Sequence, residues 1–132
     1  MSLEASHWLP IWSLGLLAAA FSLKHFLADF VLQTKWIALG KDRRDAWLMP
    51  LGAHVATHAG LAFAIILVVA PRLWWLALVD FAVHFTIDRG KSIVSRWGQW
   101  GPQDGPYWWL FGFDQLLHQL TNIALAVALL VL

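Results

Sequence analysis

The chain of 132 residues contains no cysteine, which excludes disulfides and thiolate metal sites and leaves nitrogen and oxygen as the available donor atoms. Glutamate is nearly absent too, since Glu4 is the only one. The HExxH helix of the familiar zinc peptidases is therefore missing, and any general base must be Asp or His. Charged residues make up only 13%, against about 25% in ordinary soluble domains. The basic residues form no long run of the kind that binds nucleic acid. Residues 1–12 hold no Lys or Arg, so no cleaved secretory signal is read, and the first apolar stretch is expected to remain in the membrane.

What is present is apolar: 60% of the residues are hydrophobic. A helical span needs about 20 apolar residues at about 1.5 Å rise per residue, so this length holds four spans joined by short loops. The reading is an all-α polytopic membrane protein, a single four-helix transmembrane domain over residues 1–132, with spans at about 8–33, 47–70, 72–90 and 107–132. Pro71 is expected to close the second span. The segment from Thr34 to Trp47 reads as a polar loop around Gly40, and Gly98, Gly101, Pro102, Gly105 and Pro106 mark a turn-rich connection. Lys35, Lys41, Arg43, Arg44, Arg89, Lys91 and Arg96 fall in the first and third loops, whereas the second has only Arg72. The positive-inside rule then places both termini outside and the basic loops in the cytoplasm. Tryptophans follow the same division: Trp36, Trp47, Trp97, Trp100, Trp108 and Trp109 at the inner interface, and Trp8, Trp12, Trp74 and Trp75 at the outer one.

Ionisable residues inside the spans recur at a spacing of four. Asp80, His84 and Asp88 occupy one span, and His25 with Asp29, His54 with His58, and Asp114 with His118 occupy the others. Residues four apart share a helix face. With alternating span directions, all four groups fall in the cytoplasmic half of the bilayer, roughly 5 to 15 Å from its inner boundary, where they can meet in one layer. Two tiers are expected, with Asp29, His54, Asp88 and Asp114 nearer the cytoplasm, His25, His58 and His118 deeper, His84 between them and Asp80 deepest.

One charge near the bilayer centre costs at least about 2.5 to 3.5 kcal/mol on insertion scales, so such groups must pair with one another. A divalent cation accomplishes this by neutralising carboxylates and accepting imidazole lone pairs; zinc is expected first, with iron or manganese as alternatives. The expected metal ligands are His25, Asp29, His54, His58, His84, Asp88 and His118, with Asp80 or Asp114 as the general base. Plainer roles stand beside these: a local hydrogen-bonded pair for His25 and Asp29, a favourable helix-start charge for Asp114, and an exposed position for His7. Lys24, Arg89 and Lys91 read as interfacial residues with snorkelling side chains, and Gln115 as an interior hydrogen-bond donor.

Four segments, KHFLADFVLQT (Lys24 to Thr34), HVATH (His54 to His58), DFAVHFTIDRGK (Asp80 to Lys91) and DQLLH (Asp114 to His118), carry a resemblance over nearly the whole chain. The chain resembles an uncharacterised bacterial inner-membrane family catalogued as domain of unknown function 3307. The resemblance implies a multi-pass protein of the bacterial inner (cytoplasmic) membrane and no established activity. More loosely, the His and Asp blocks look like those of inner-membrane proteins classed as metal-dependent hydrolases. The leading expectation is a divalent-metal-dependent hydrolase that acts on an amphiphile or lipid, such as a phospholipid or isoprenoid ester, at the cytoplasmic leaflet. Cation or proton transport through the same layer is the alternative, and with only four helices it would call for homo-oligomerisation. A non-haem iron redox protein is the third. Membrane lipids are the expected surroundings, and no nucleic-acid partner is expected.

Overall fold

The computed structural model describes the backbone of residues 3–132 and the side chains from Ile11 onward; His7 and Trp8, read above as outer-end residues, have side chains outside the described set. Four long helices dominate. Helix α1 (Leu3–Phe26) runs directly into a single π turn (Leu27–Val31), closed where the Leu32 N–H donates to the Leu27 carbonyl at 2.8 Å. A short α2 (Lys35–Gly40) follows, then α3 (Leu48–Val69), a 3-10 turn (Pro71–Leu73), α4 (Leu76–Gly98) and α5 (Gly105–Val131). Among the described residues there is no strand.

Local chemistry explains the boundaries, including two that differ from expectation. The segment after the first span is not simply a polar loop. Thr34 caps α2, its hydroxyl accepting from the Ile37 N–H at 3.3 Å, which satisfies one of the donors left over at a helix start. The third span was expected to end near Gly90, yet α4 continues to Gly98. A lone interior glycine costs only about 1 kcal/mol, and the added turns are held by tertiary bonds: Ser92 to the Asp42 carboxylate, and Arg96 Nη1 to the carbonyls of Asp42 and Arg43 at 3.1 and 3.2 Å. Pro71 closes α3 as expected. It drives Ala70 to φ −152° and ψ 74°, outside the helical region.

Among the described residues, three segments, Ile11–Val31, Leu48–Val69 and Gly105–Val131, are long and apolar enough to cross a membrane. Helix α4 has 23 residues, but Asp80, Asp88, Arg89, Lys91 and Arg96 dilute its apolar character. The bundle is inverted relative to a soluble protein. Leu16 is 71% exposed and Val68 86%, while His54 is 1% exposed and His58 wholly buried. Water would reject that outer surface and lipid accepts it, so the chain folds as a membrane protein.

The bundle interior has two halves. One is a dry cluster of Leu17 and Phe21 from α1, Ala62 and Ile66 from α3, Leu76 and Ala77 from α4, and Leu125, Ala126 and Leu129 from α5. The other is polar and lies toward the end where α4 meets the loop after α2. The bonds from Arg96 and Ser92 to residues 42 and 43 bring the two basic loops to this same end, whereas Arg72 Nη2 donates to the Leu132 carbonyl at 2.6 Å at the opposite one.

Helix α2 is seated on α3 by a close approach of Gly40 to the ring of Pro50; a Cβ at Gly40 would overlap Cγ and Cβ of that proline. Neither backbone can yield cheaply. Gly40→Ala is expected to cost about 1 to 3 kcal/mol through overpacking and to displace the adjoining Lys41, read as a lowered midpoint in thermal unfolding of the detergent-solubilised protein.

Candidate metal centre

All four long helices contribute to the polar layer. Helix α1 places His25 in its last turn, and the π turn that follows carries Asp29. Such a turn shifts the helix register and is frequent at functional sites. Here Asp29 Oδ2 lies 3.0 Å from His25 Nε2, while its Oδ1 reaches His58 Nε2 at 2.9 Å and His54 Nε2 at 3.3 Å on α3. Helix α4 supplies Asp80, His84 and Asp88 from its buried face, and α5 supplies Asp114 and His118 from its own.

His84 is the centre of the layer. Its ring lies 3.8 Å from that of His58, 4.0 Å from His118, 5.7 Å from His54 and 5.9 Å from His25, measured between centroids. Two carboxylates flank this group. Asp29 serves the α1 and α3 side; Asp88 lies on the other, with Oδ1 3.0 Å from His118 Nε2 and Oδ2 3.4 Å from His54 Nε2. His54 thus stands between both carboxylates. The two expected tiers therefore interlock, because each flanking carboxylate contacts histidines assigned to both levels.

Many of these contacts are close without being hydrogen bonds. Buried atoms with no hydrogen-bond partner include both nitrogens of His25, Nδ1 of His54 and His58, Nε2 of His84, Oδ2 of Asp88 and Oδ1 of Asp114. Leaving one such atom buried and unpaired ordinarily costs about 1 to 3 kcal/mol. Four of the seven still lie within 4 Å of an oppositely charged partner, but Nδ1 of His25, His54 and His58 have none, so internal pairing leaves donor capacity in the layer unused. Among the described residues, three sets have donor atoms within 4.8 Å of one another and could hold a metal ion: His54, His58 and His84; His25, Asp29 and His58; His84, Asp88 and His118. All seven side chains expected as ligands fall in at least one set.

The two expected bases part company. Asp114 stays at the edge of the layer, 3.4 Å from His118 Nε2, with Lys91 Nζ at 3.5 Å and a bond donated by Gln115 Nε2 at 3.2 Å. Asp80 belongs to none of the three sets. It is buried against Lys24 Nζ at 2.9 Å. Lys24 is therefore no snorkelling interfacial residue but a buried ammonium, and its reason for being inside is the Asp80 charge at the same depth. The Arg89 guanidinium lies 3.6 Å above the Trp47 ring.

Lys41 is the site residue that loop-based reasoning misses. Leaving the end of α2, it brings Nζ to 3.2 Å from His54 Nε2 and 4.0 Å from Asp88 Oδ2. No spacing in the sequence signals this, because the approach depends on how α2 folds back over α3.

A polar pocket of about 110 Å³ opens onto the layer, lined by Asp29, Lys41, Asp88, Lys91, Asp114 and His118 among others. An apolar groove of about 290 Å³ between α4 and α5, lined by Ile87, Gly90, Val94, Leu110, Phe113 and Leu117, shares Lys91 and Asp114 with that pocket. A larger cavity, about 660 Å³ beside α2 between Trp36 and Met49, contains none of the layer's donor atoms. Its size does not make it the chemical site.

The family model for DUF3307, a protein family of unknown function, matches residues 17–132. The chain belongs to this family. The match contains every member of the polar layer, from Lys24 to His118. No curated protein and no solved structure gives a significant match, so the looser likeness to metal-dependent hydrolases finds no counterpart in these comparisons.

Proposed function

We propose that the chain is a membrane-embedded, divalent-metal-dependent hydrolase that acts on an amphiphile carrying an ester or phosphoester head. The observation that carries this reading is the set of interlocking His and Asp donors, buried except for the half-buried Asp29, that meet in one layer of the bundle and leave ring nitrogens without a hydrogen bond. Four helices cross the bilayer in this reading, α4 included, because its ionisable groups turn inward and Asp80, His84 and Asp88 are each at most 3% exposed. Loop charge then puts both termini outside and the layer toward the cytoplasmic leaflet of a bacterial inner membrane.

The donor chemistry fits zinc, and also iron or manganese: neutral imidazoles and carboxylates, with no thiolate. A divalent cation held there would supply Lewis acidity toward the scissile group and toward water. The chain's own residues would do the rest. Asp114, at the pocket edge and outside the three donor sets, is the better placed base, since the Asp80 carboxylate is taken up by Lys24. Lys41 and Lys91 present ammonium groups at the pocket mouth, suited to orient an anionic head. The α4/α5 groove runs from that mouth along an apolar surface, where one acyl or isoprenoid chain could lie.

Gly90 lines this groove, and a Cβ added there meets nothing within 4 Å. Gly90→Phe is thus expected to leave the bundle and its metal intact while filling the groove. Displacing two methylenes at about 0.8 kcal/mol each lowers kcat/KM roughly tenfold for a long-chain ester relative to a short-chain soluble one, assayed in nanodiscs. An unchanged ratio would remove the groove from the account.

Two alternatives use the same layer. Two His and one Asp is also the ligand set of non-haem iron proteins, and an optical and electron paramagnetic resonance spectrum of iron-loaded protein tests for it. Transport would need a path through the other half of the bundle. The dry cluster around Phe21, Ile66 and Leu125 weighs against one, and metal uptake into proteoliposomes would reverse that judgement.

A further inference from the structure

Two of the three donor sets share no residue. His25, Asp29 and His58 form one; His84, Asp88 and His118 form the other. Each comes from two helices in the same way. The first takes a His from the end of α1, an Asp four residues on in the π turn and a His from α3; the second takes a His and an Asp four apart from α4 and a His from α5. The local sequences agree beyond spacing, since His25-Phe26 and His84-Phe85 each precede their Asp by the same interval, as HFLAD and HFTID. Their partner helices agree as well: His58 has His54 four residues before it, and His118 has Asp114.

The two sets face one another in matched order. His58 lies against His84 at 3.8 Å and His25 against His118 at 5.1 Å, ring centroid to ring centroid. His54 Nε2 stands between the carboxylates, 3.3 Å from Asp29 and 3.4 Å from Asp88. Helix α1 with its π turn and helix α4 therefore supply equivalent ligands, as do α3 and α5.

We infer that the layer is a two-ion centre in which each two-His, one-Asp set binds its own divalent cation. This rests on the metal-dependent reading above and adds the number of ions and the assignment of ligands to each. Paired sites of this kind suit displacement at phosphorus or carbon, where one ion serves the attacking oxygen and the other the leaving one. Lys41 holds positive charge beside His54 and Asp88. Lying at the pocket mouth, it is the ammonium with a way out when cations enter.

The test uses the full chain in detergent, loaded with Mn2+ and desalted. Wild type is expected to retain about two ions per chain, and His25→Ala and His118→Ala about one each, on the two-metal pattern. Electron paramagnetic resonance should show exchange-coupled Mn2+ in wild type and the isolated-ion hyperfine pattern in either variant. One ion in wild type, held equally by both variants, would assign it to His54, His58 and His84 and overturn the inference while leaving the metal reading intact. Both ions lost in either variant, or both kept, would overturn the assignment of independent sets. No ion in wild type would sink both readings. Circular dichroism checks folding, and His118→Gln replaces the alanine variant if that variant unfolds.

Discussion

Asp80→Ala is expected to destabilise the bundle by about 3 to 5 kcal/mol, the cost of leaving one buried charge without its partner. Lys24 Nζ lies 2.9 Å from Asp80, and the two side chains are only 4% and 1% exposed. Neither can reach water or the headgroup region without the helix moving. Removing one partner therefore costs far more than the pair contributes as a pair. Lys24→Met should cause a loss of similar size, whereas Lys24→Met with Asp80→Leu should recover most of it, because a matched apolar pair takes the place of the charges. Stability in mixed detergent, read from the unfolding midpoint of all four proteins, checks this. Equal losses in both single variants and a summed loss in the double would mean that the pair is not the interaction that matters.

His84→Ala carries the largest expected effect on function. Its ring is the only one placed within 6 Å of the other four, and it takes part in two of the three donor sets. Several kcal/mol of metal-derived stabilisation would go with it, so activity should fall about 10³-fold. Stability should move much less, since the vacated space lies in a polar layer and the dry cluster at the other end of the bundle is untouched. Equal metal content and activity in His84→Ala and wild type would show that the ring convergence is a packing feature.

The layer was legible in the sequence because helix geometry converts spacing directly into placement. His25 and Asp29, His54 and His58, and Asp114 and His118 sit four apart, and alternating helix directions bring them into one layer with His84 and Asp88. Residues whose positions depend on irregular backbone were not legible. Lys41 enters the layer because Gly40 lets α2 pack against Pro50, a contact without periodicity. Asp29 is aimed by a π turn that leaves no mark in the apolar pattern. Lys24 sits next to His25 near the polar end of its span, where sequence alone suggests a snorkelling side chain, because its partner Asp80 is 56 residues away. The continuation of α4 past Gly90 depends likewise on Ser92 and Arg96 bonding to a loop that the sequence shows only as polar.

The most direct test of the metal centre is elemental analysis of the full chain as purified from membranes, without added metal, beside His84→Ala prepared in parallel. Stoichiometric zinc, iron or manganese in wild type, reduced by about half in the variant because the set of His25, Asp29 and His58 is untouched, is the predicted result. Wild-type protein that is folded by circular dichroism yet carries no stoichiometric metal would contradict the account.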